Sequence, residues 1–212
     1  VQAQMDYLKD CVTVDLFGIK PGGTIESELI APLRPEIPEL KGGEDYLLEV
    51  VLRTRTLGHL FTQGTVDSNQ VWVDVELISD GKVLGRSGAM DEERFVDPWS
   101  HFVNVYMLDR NGNRIDRRNA EDIFTPLYNH QIPPGAGQVV HYGFRIPEGW
   151  TKPVEIRATL KYRKFDTTYL RHVFGADYEN DLPVTEISYD QLTLPMEGGA
   201  TENVVQSKPE PV

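Results

Sequence analysis

Five histidines are the side chains of this sequence best suited to chemistry: His59, His101, His130, His141 and His172. Imidazole nitrogen is a good ligand for haem iron and for transition metals. His59 lies in LGHLFTQG, residues 57–64, where two glycines flank the turn. No two histidines have the H-x-x-x-H spacing of a helical metal site, so no local metal cluster is encoded. Each histidine taken alone is also typical of a hydrogen-bonded structural residue, and both interpretations stay open.

The segment DRNGNRID, residues 109–116, carries oxygen-bearing side chains at alternate positions around a glycine. Asp109, Asn111 and Asn113 suit the beginning of a loop that binds a hard cation such as calcium. The bidentate glutamate expected at the twelfth position is absent, because Ala120 stands there. The alternative is an Asn-Gly hairpin turn, in which these residue types supply positive φ. We favour the turn and keep calcium binding as the second interpretation.

Two further constellations carry less chemistry. Ser100 and His101 are adjacent, but neighbours on a strand point to opposite faces and cannot form a nucleophile–base pair. The sequence also has no G-x-S-x-G elbow, so we predict that the chain is not an enzyme. Trp72, Trp99 and Trp150 could stack on a sugar ring, and Trp72 falls on the polar face of its predicted strand. Covering a sheet edge is the alternative role for such a residue.

Composition narrows the classes of partner. The net charge of −12 over 212 residues argues against nucleic acid, whose binding needs clustered lysine and arginine. Cys11 is the only cysteine, which excludes an intrachain disulfide and a CxxCH site for covalent haem. No run of about 20 apolar residues exists, so no membrane span is predicted. The chain begins VQAQ with no visible signal peptide, which leaves its localisation open.

The dominant hydrophobic period is two, which is the pattern of half-buried strands. Strands are predicted at 46–56, 70–78, 82–88, 101–109, 137–146, 153–165 and 184–194, with Gly/Pro turns between many of them. So many short strands predict an all-β fold, an immunoglobulin-like antiparallel β-sandwich.

Three stretches differ from that pattern. Four prolines in residues 30–43 predict an extended, non-helical arm. Residues 165–175 predict a short helix, with Asp166 as N-cap and Gly175 as the C′ residue. We therefore divide the chain into an N-terminal strand and proline-rich arm (1–44), a β-sandwich domain (45–195) and a flexible, extended C-terminal tail (196–212).

Six of these segments, in this order, resemble one family: GHLFTQG, VWVDVEL, a hairpin ending GRSG, DPWSHFVNVYMLDRNGNRI, QIPPGAGQVVHYGFRIP and a strand ending LKYRKF. The family is the β-rich, immunoglobulin-like domain associated with bacterial multihaem c-type cytochromes, including cytochrome c554-like and tetratricopeptide-containing proteins. The resemblance covers about residues 45–165. The family's turn commonly reads G-H-x-F-P-x-G, and Thr62 replaces the proline here.

The resemblance implies a non-catalytic scaffold domain or subunit in an electron-transfer assembly. Such a chain would bind no haem covalently itself. It would contact haem c of a multihaem cytochrome, either in the same polypeptide or in a separate subunit, in the periplasm or outside the cell. Its candidate distal ligands are His59 first, then His101 and His130. The alternative is an extracellular calcium-dependent adhesion or carbohydrate-binding β-sandwich.

Overall fold

A computed structural model describes residues 2–63 and 68–199. The elements in chain order are α1 Gln2–Leu8, β1 Val12–Pro21, β2 Asp45–Thr54, β3 Gln70–Ser79, β4 Lys82–Ser87, β5 Val105–Leu108, a 3-10 turn Ala120–Asp122, β6 Thr125–Asn129, β7 Gly137–Arg145, β8 Val154–Arg163, α2 Thr167–Phe174 and β9 Thr185–Leu194. The predicted all-β antiparallel fold with a short helix is confirmed. No helix among these residues is long and apolar enough to cross a membrane.

Two antiparallel sheets face each other across one apolar core. The first has the strand order β1-β2-β7, the second β4-β3-β8-β9, and β5 and β6 form a small third sheet. Alternate residues of each long strand point inward, so Val71, Val73 and Val75 of β3 all lie in the core. The two large sheets also meet directly, because the Ser188 hydroxyl on β9 donates to the Val12 carbonyl on β1 at 2.6 Å.

Both faces of β3 are covered, which corrects the assignment of Trp72 to a polar face. Trp72 is only 1% exposed, and its Nε1 donates to the Gly88 carbonyl at 3.0 Å. Asp74 on the same face is buried between Arg86 and Lys161, at 2.9 and 2.6 Å. The polar residue types of this face therefore reflect internal ion pairs and a buried indole, and Trp72 is not available to a sugar ring.

The strand predicted over 101–109 is divided between two neighbours. His101, Phe102 and Val103 lie beside the start of β3, where Val103 N donates to the Val71 carbonyl at 2.9 Å. Only 105–108 form a strand, which pairs along its length with β6, and the segment after the Asn-Gly turn adds a single β-bridge between Leu108 and Arg114. One apolar run thus connects a large sheet to the small one. This arrangement positions the histidines described below.

The N-terminal segment packs on the sandwich through β1 and through the proline-rich arm. β1 pairs with β2, and the proline-rich arm is extended and non-helical, with Leu33 and Leu40 buried. Arg34 of the arm makes a two-pronged ion pair with the buried Asp190 on β9, at 3.0 Å for each nitrogen. Of the predicted tail, Met196 and Glu197 contact the arm, since Leu40 forms a β-bridge with Met196 and its carbonyl accepts from Glu197 N at 2.8 Å. Residues 200–212 lie outside the described part.

The predicted short helix is confirmed with both of its caps. The Asp166 carboxylate accepts from Tyr169 N at 2.7 Å at the start of α2, and Gly175 follows its end. Helix α1 was not predicted. Cys11 is buried as expected of a small apolar residue, and burial raises the pKa of its thiol to about 11.

Candidate functional site

Three loops that are distant in sequence are joined by hydrogen bonds, and we call them the histidine loops: residues 57–63, 101–104 and 129–132. Phe61 and Ile132 exchange two backbone hydrogen bonds of 2.9 and 2.6 Å. The Thr62 hydroxyl donates to the Val103 carbonyl at 3.2 Å, and Gln131 Nε2 donates to the Thr62 carbonyl. Each loop carries one of the three histidines predicted as ligands. The structure therefore gathers His59, His101 and His130 onto connected backbone.

A column of four rings, three of them stacked and the fourth tilted by 39°, runs through two of these loops. Tyr106 and Tyr128 face each other across β5 and β6, with ring centroids 5.5 Å apart. Tyr128 stacks on His130 at 4.4 Å, and His130 stacks on His101 at 4.7 Å, with interplanar angles of 21° and 19°. The period of two on one strand accounts for Tyr128 and His130 sharing a face. The contribution of Tyr106 and His101 depends on strand register, so sequence reasoning missed the column.

His130 is fixed in one tautomer by a backbone carbonyl. Its Nδ1 lies 3.1 Å from the carbonyl oxygen of Phe102. Because a carbonyl oxygen only accepts hydrogen bonds, Nδ1 must carry the proton. In the neutral ring the lone pair is then on Nε2. A carbonyl on Nδ1 is also the outer partner that orients histidines bound to metals and makes them more basic.

His101 plays a different part. Its Nε2 lies 3.3 Å from Oε1 of Gln138 on β7, so the nitrogen that would face a ligand is already engaged. Burial lowers the pKa of His101 to about 4; the Gln138 contact acts in the opposite direction, and His130 adds to the lowering. The ring is therefore neutral at pH 7, and its face supports His130.

His59 is exposed and repeats the pattern of His130. Its Nδ1 lies 2.9 Å from the carbonyl oxygen of Leu60, which places the proton on Nδ1 and leaves the Nε2 lone pair facing solvent. His141, by contrast, uses Nε2 toward Glu49 at 3.3 Å. These histidines could not be told apart from their sequence positions, because the difference lies in which ring nitrogen meets a backbone carbonyl.

The calcium candidates form a closed polar turn. Asp109 Oδ1 accepts from the backbone N–H groups of Asn111 and Asn113, both at 2.8 Å, and Oδ2 accepts from Asn113 Nδ2 at 3.0 Å. These hydrogen bonds from Asn113 lower the pKa of the Asp109 carboxyl. The contacts support the hairpin-turn alternative. Among the described residues, no three His, Cys, Asp or Glu side chains converge on a common metal position.

The remaining candidates also have assigned contacts. Ser100 Oγ donates to the Asp97 carbonyl at 2.6 Å, so its hydroxyl is directed into its own turn. Trp150 Nε1 donates to Ser79 Oγ at 2.8 Å. Trp99 is the exception, because its side chain is 90% exposed.

Comparison with known proteins finds a likeness of structure but none of sequence. No protein family and no curated protein sequence matches the chain. Its structure is similar to that of a penta-haem cytochrome c552 from Thermochromatium tepidum, with a TM-score of 0.55 and 14% sequence identity. The match covers 89% of this chain and 41% of the cytochrome, so the chain spans about two fifths of that protein's length. At this identity the likeness concerns the fold.

Proposed function

We propose that the chain is a non-catalytic β-sandwich scaffold in a multihaem c-type cytochrome assembly, in the periplasm or outside the cell. It covers a haem of the assembly and offers His59 Nε2 to the iron as the distal ligand. The observation that carries the proposal is the exposed His59 ring, whose Nδ1 is held at 2.9 Å by the Leu60 carbonyl. The fold likeness to a penta-haem cytochrome supports the same assignment.

The available donors fit a haem that is covalently attached elsewhere. The chain has one cysteine and no CxxCH, so the attachment and the proximal histidine belong to another segment or subunit. A haem of this kind supplies electron transfer, and it needs one further imidazole to be six-coordinate. His59 provides that nitrogen. The cross-loop bonds of Phe61 to Ile132 hold the loop against the rigid sandwich, which limits movement of the ligand.

The test begins with the native assembly purified without denaturation from its source. A reduced-minus-oxidised visible spectrum should show low-spin c-type bands, and haem staining after denaturing electrophoresis should label the polypeptide that carries the haem. His59→Ala should convert one haem to high spin, whereas His172→Ala on the exposed face of α2 should leave the spectrum unchanged. A colourless assembly, or an unchanged spectrum in His59→Ala, would contradict the proposal.

One observation supports the alternative function of adhesion or carbohydrate binding. Trp99 is exposed on a turn in which the Asp97 carboxylate accepts from Trp99 N at 3.0 Å, so this turn presents an aromatic ring to solvent. Glycan-array binding that disappears in Trp99→Ala would favour this alternative over the cytochrome assembly.

A further inference from the structure

The His130 ring is restrained in position, rotation and protonation. Tyr128 and His101 pack against its two sides, with centroids at 4.4 and 4.7 Å. The Phe102 carbonyl holds Nδ1, and the backbone N–H of His130 donates to the Asn104 carbonyl at 2.9 Å. A ligand residue held in this way has already lost most of its rotamer freedom, so binding costs little further entropy.

The Nε2 atom of His130 is free to act. In the part of the chain that the structure describes, Nδ1 is the only ring nitrogen of His130 with a hydrogen-bond partner. The His130 side chain is half-buried, and its Nε2 keeps some contact with solvent. The lone pair deduced from the tautomer is therefore accessible from outside the chain.

The residue opposite His130 gives a second, independent observation. Asn104 is buried, and its Oδ1 has no hydrogen-bond partner among the described residues. Buried polar atoms without partners are uncommon in folded proteins and often mark functional positions. This unsatisfied acceptor is on the residue whose backbone carbonyl binds His130 N. The residue that pairs with the His130 backbone thus carries a buried acceptor that no described residue satisfies.

The number of ligands indicates what His130 binds. A free divalent metal needs three or four protein ligands, and no such cluster occurs in residues 2–63 and 68–199. A c-type haem brings five ligands of its own and needs one imidazole. We propose that His130 is a second haem-iron ligand of this chain, in addition to His59, and that Tyr128 and His101 are its positioning residues. This inference rests on the proposed function and extends it to a second iron-binding position.

The first test examines the tautomer in the isolated chain. Histidine ¹⁵N NMR at neutral pH should show His130 protonated at Nδ1, the less common form of imidazole in water. His101→Leu and Tyr128→Leu should each leave that tautomer in place while allowing faster ring motion. A spectrum in which His130 is protonated at Nε2 would overturn the inference, because the lone pair would then face the Phe102 carbonyl.

The second test uses a haem c peptide that carries its own proximal histidine and an open sixth position. The chain is titrated in a His59→Ala background, so that His59 does not contribute. Low-spin conversion is expected. His130→Phe keeps a ring between Tyr128 and His101 but removes the donor, and it should weaken binding at least about ten-fold. His172→Ala is the matched control and should bind like the background variant.

Three outcomes would overturn the inference: no low-spin conversion in the background variant, conversion that persists with His130→Phe, or binding of zinc chloride in preference to the haem peptide. Failure here is distinguishable from failure of the proposed function. If the native assembly contains haem but binding of the haem peptide does not depend on His130, the assignment of His130 as a ligand is wrong and the proposed function stands. If the native preparation is colourless but binding of the haem peptide depends on His130, the proposed cytochrome assembly is wrong and His130 remains an iron-binding position.

Discussion

Arg34→Ala should be among the most destabilising single substitutions in the proline-rich arm. Arg34 Nη1 and Nη2 each donate to the Asp190 carboxylate at 3.0 Å, and Nη2 also donates to the Gln191 carbonyl at 2.8 Å. Asp190 is fully buried at 0% exposure, and its carboxylate also accepts from the backbone N–H groups of Leu16 at 2.8 Å and Gln191 at 2.9 Å. The substitution therefore leaves a buried carboxylate without its cation.

Breaking a buried ion pair by removing one partner costs about 3–5 kcal/mol. The Arg34 side chain is 21% exposed, so some water reaches the pair and we expect the lower end of that range, about 3 kcal/mol. For a chain of this size each 1 kcal/mol shifts Tm by roughly 2–4 °C, which predicts a decrease of about 6–12 °C. Removing both charges with Arg34→Met and Asp190→Asn, which keeps an oxygen for the N–H groups of Leu16 and Gln191, should recover part of the loss.

The measurement is urea and thermal unfolding followed by circular dichroism. Arg145→Ala is the matched control, because Arg145 pairs with Asp45 at 2.8 Å but both side chains are more than half exposed, at 55% and 53%. Exposed pairs contribute about 0–1 kcal/mol. If Arg34→Ala lowered Tm no more than Arg145→Ala, the assignment of the arm to the folded core through Asp190 would be refuted.

Three further predictions test the fold and the site. Gly88→Ala should lower the free energy of unfolding by about 4 kcal/mol, because a Cβ at this position of φ +96° would lie 2.4 Å from the Val73 carbonyl oxygen. Gly81→Ala is the control: its φ is +71° but its Cβ would meet open space, so it should lower the free energy of unfolding by only about 1–2 kcal/mol. Burial lowers the pKa of His101 from 6.5 to about 4, so its neutral form contributes stability above pH 6.5 that is lost as the pH falls toward 4. That loss, about 3 kcal/mol, should be absent from a His101→Gln variant compared by urea unfolding at both pH values. Addition of about 1 mM calcium should leave Tm unchanged, because the Asp109 carboxylate already accepts hydrogen bonds from N–H donors. An increase in Tm of several degrees would instead support calcium binding by this loop.

The strands and helices that were predicted correctly are those whose local sequence pattern was sufficient to determine them. Alternation predicted β3 and β8, and α2 followed from its capping residues, Asp166 and Gly175. The predictions failed where the burial of a residue depends on which segments pack against it in the fold. Trp72 has the spacing of a solvent-facing residue, but the chain from Gly88 onward crosses that face and buries it. Helix α1 has only seven residues and no acidic side chain in its first turn, so it offered little signal.

Strand pairing across long sequence separations was the main obstacle at the site. The run 101–109 has a single period, yet its first residues lie beside β3 and its last beside β6. That division brings His101 against His130, which is 29 positions away in the printed sequence. Periodicity reports which face a residue occupies on its own strand, and it does not report which strand comes next to it.

The bonded ring nitrogen separates the histidines better than their location in the sequence. His59 and His130 have Nδ1 on a backbone carbonyl, whereas His101 and His141 use Nε2 toward the side chains of Gln138 and Glu49. A carbonyl cannot give up its acceptor role at any pH, so the first two rings keep a lone pair on Nε2 whenever they are neutral. A side-chain partner fixes Nε2 instead and blocks it. The same scaffold thus holds two imidazoles whose Nε2 has no hydrogen-bond partner among the described residues, and the ring of a third, His101, stacks on one of them.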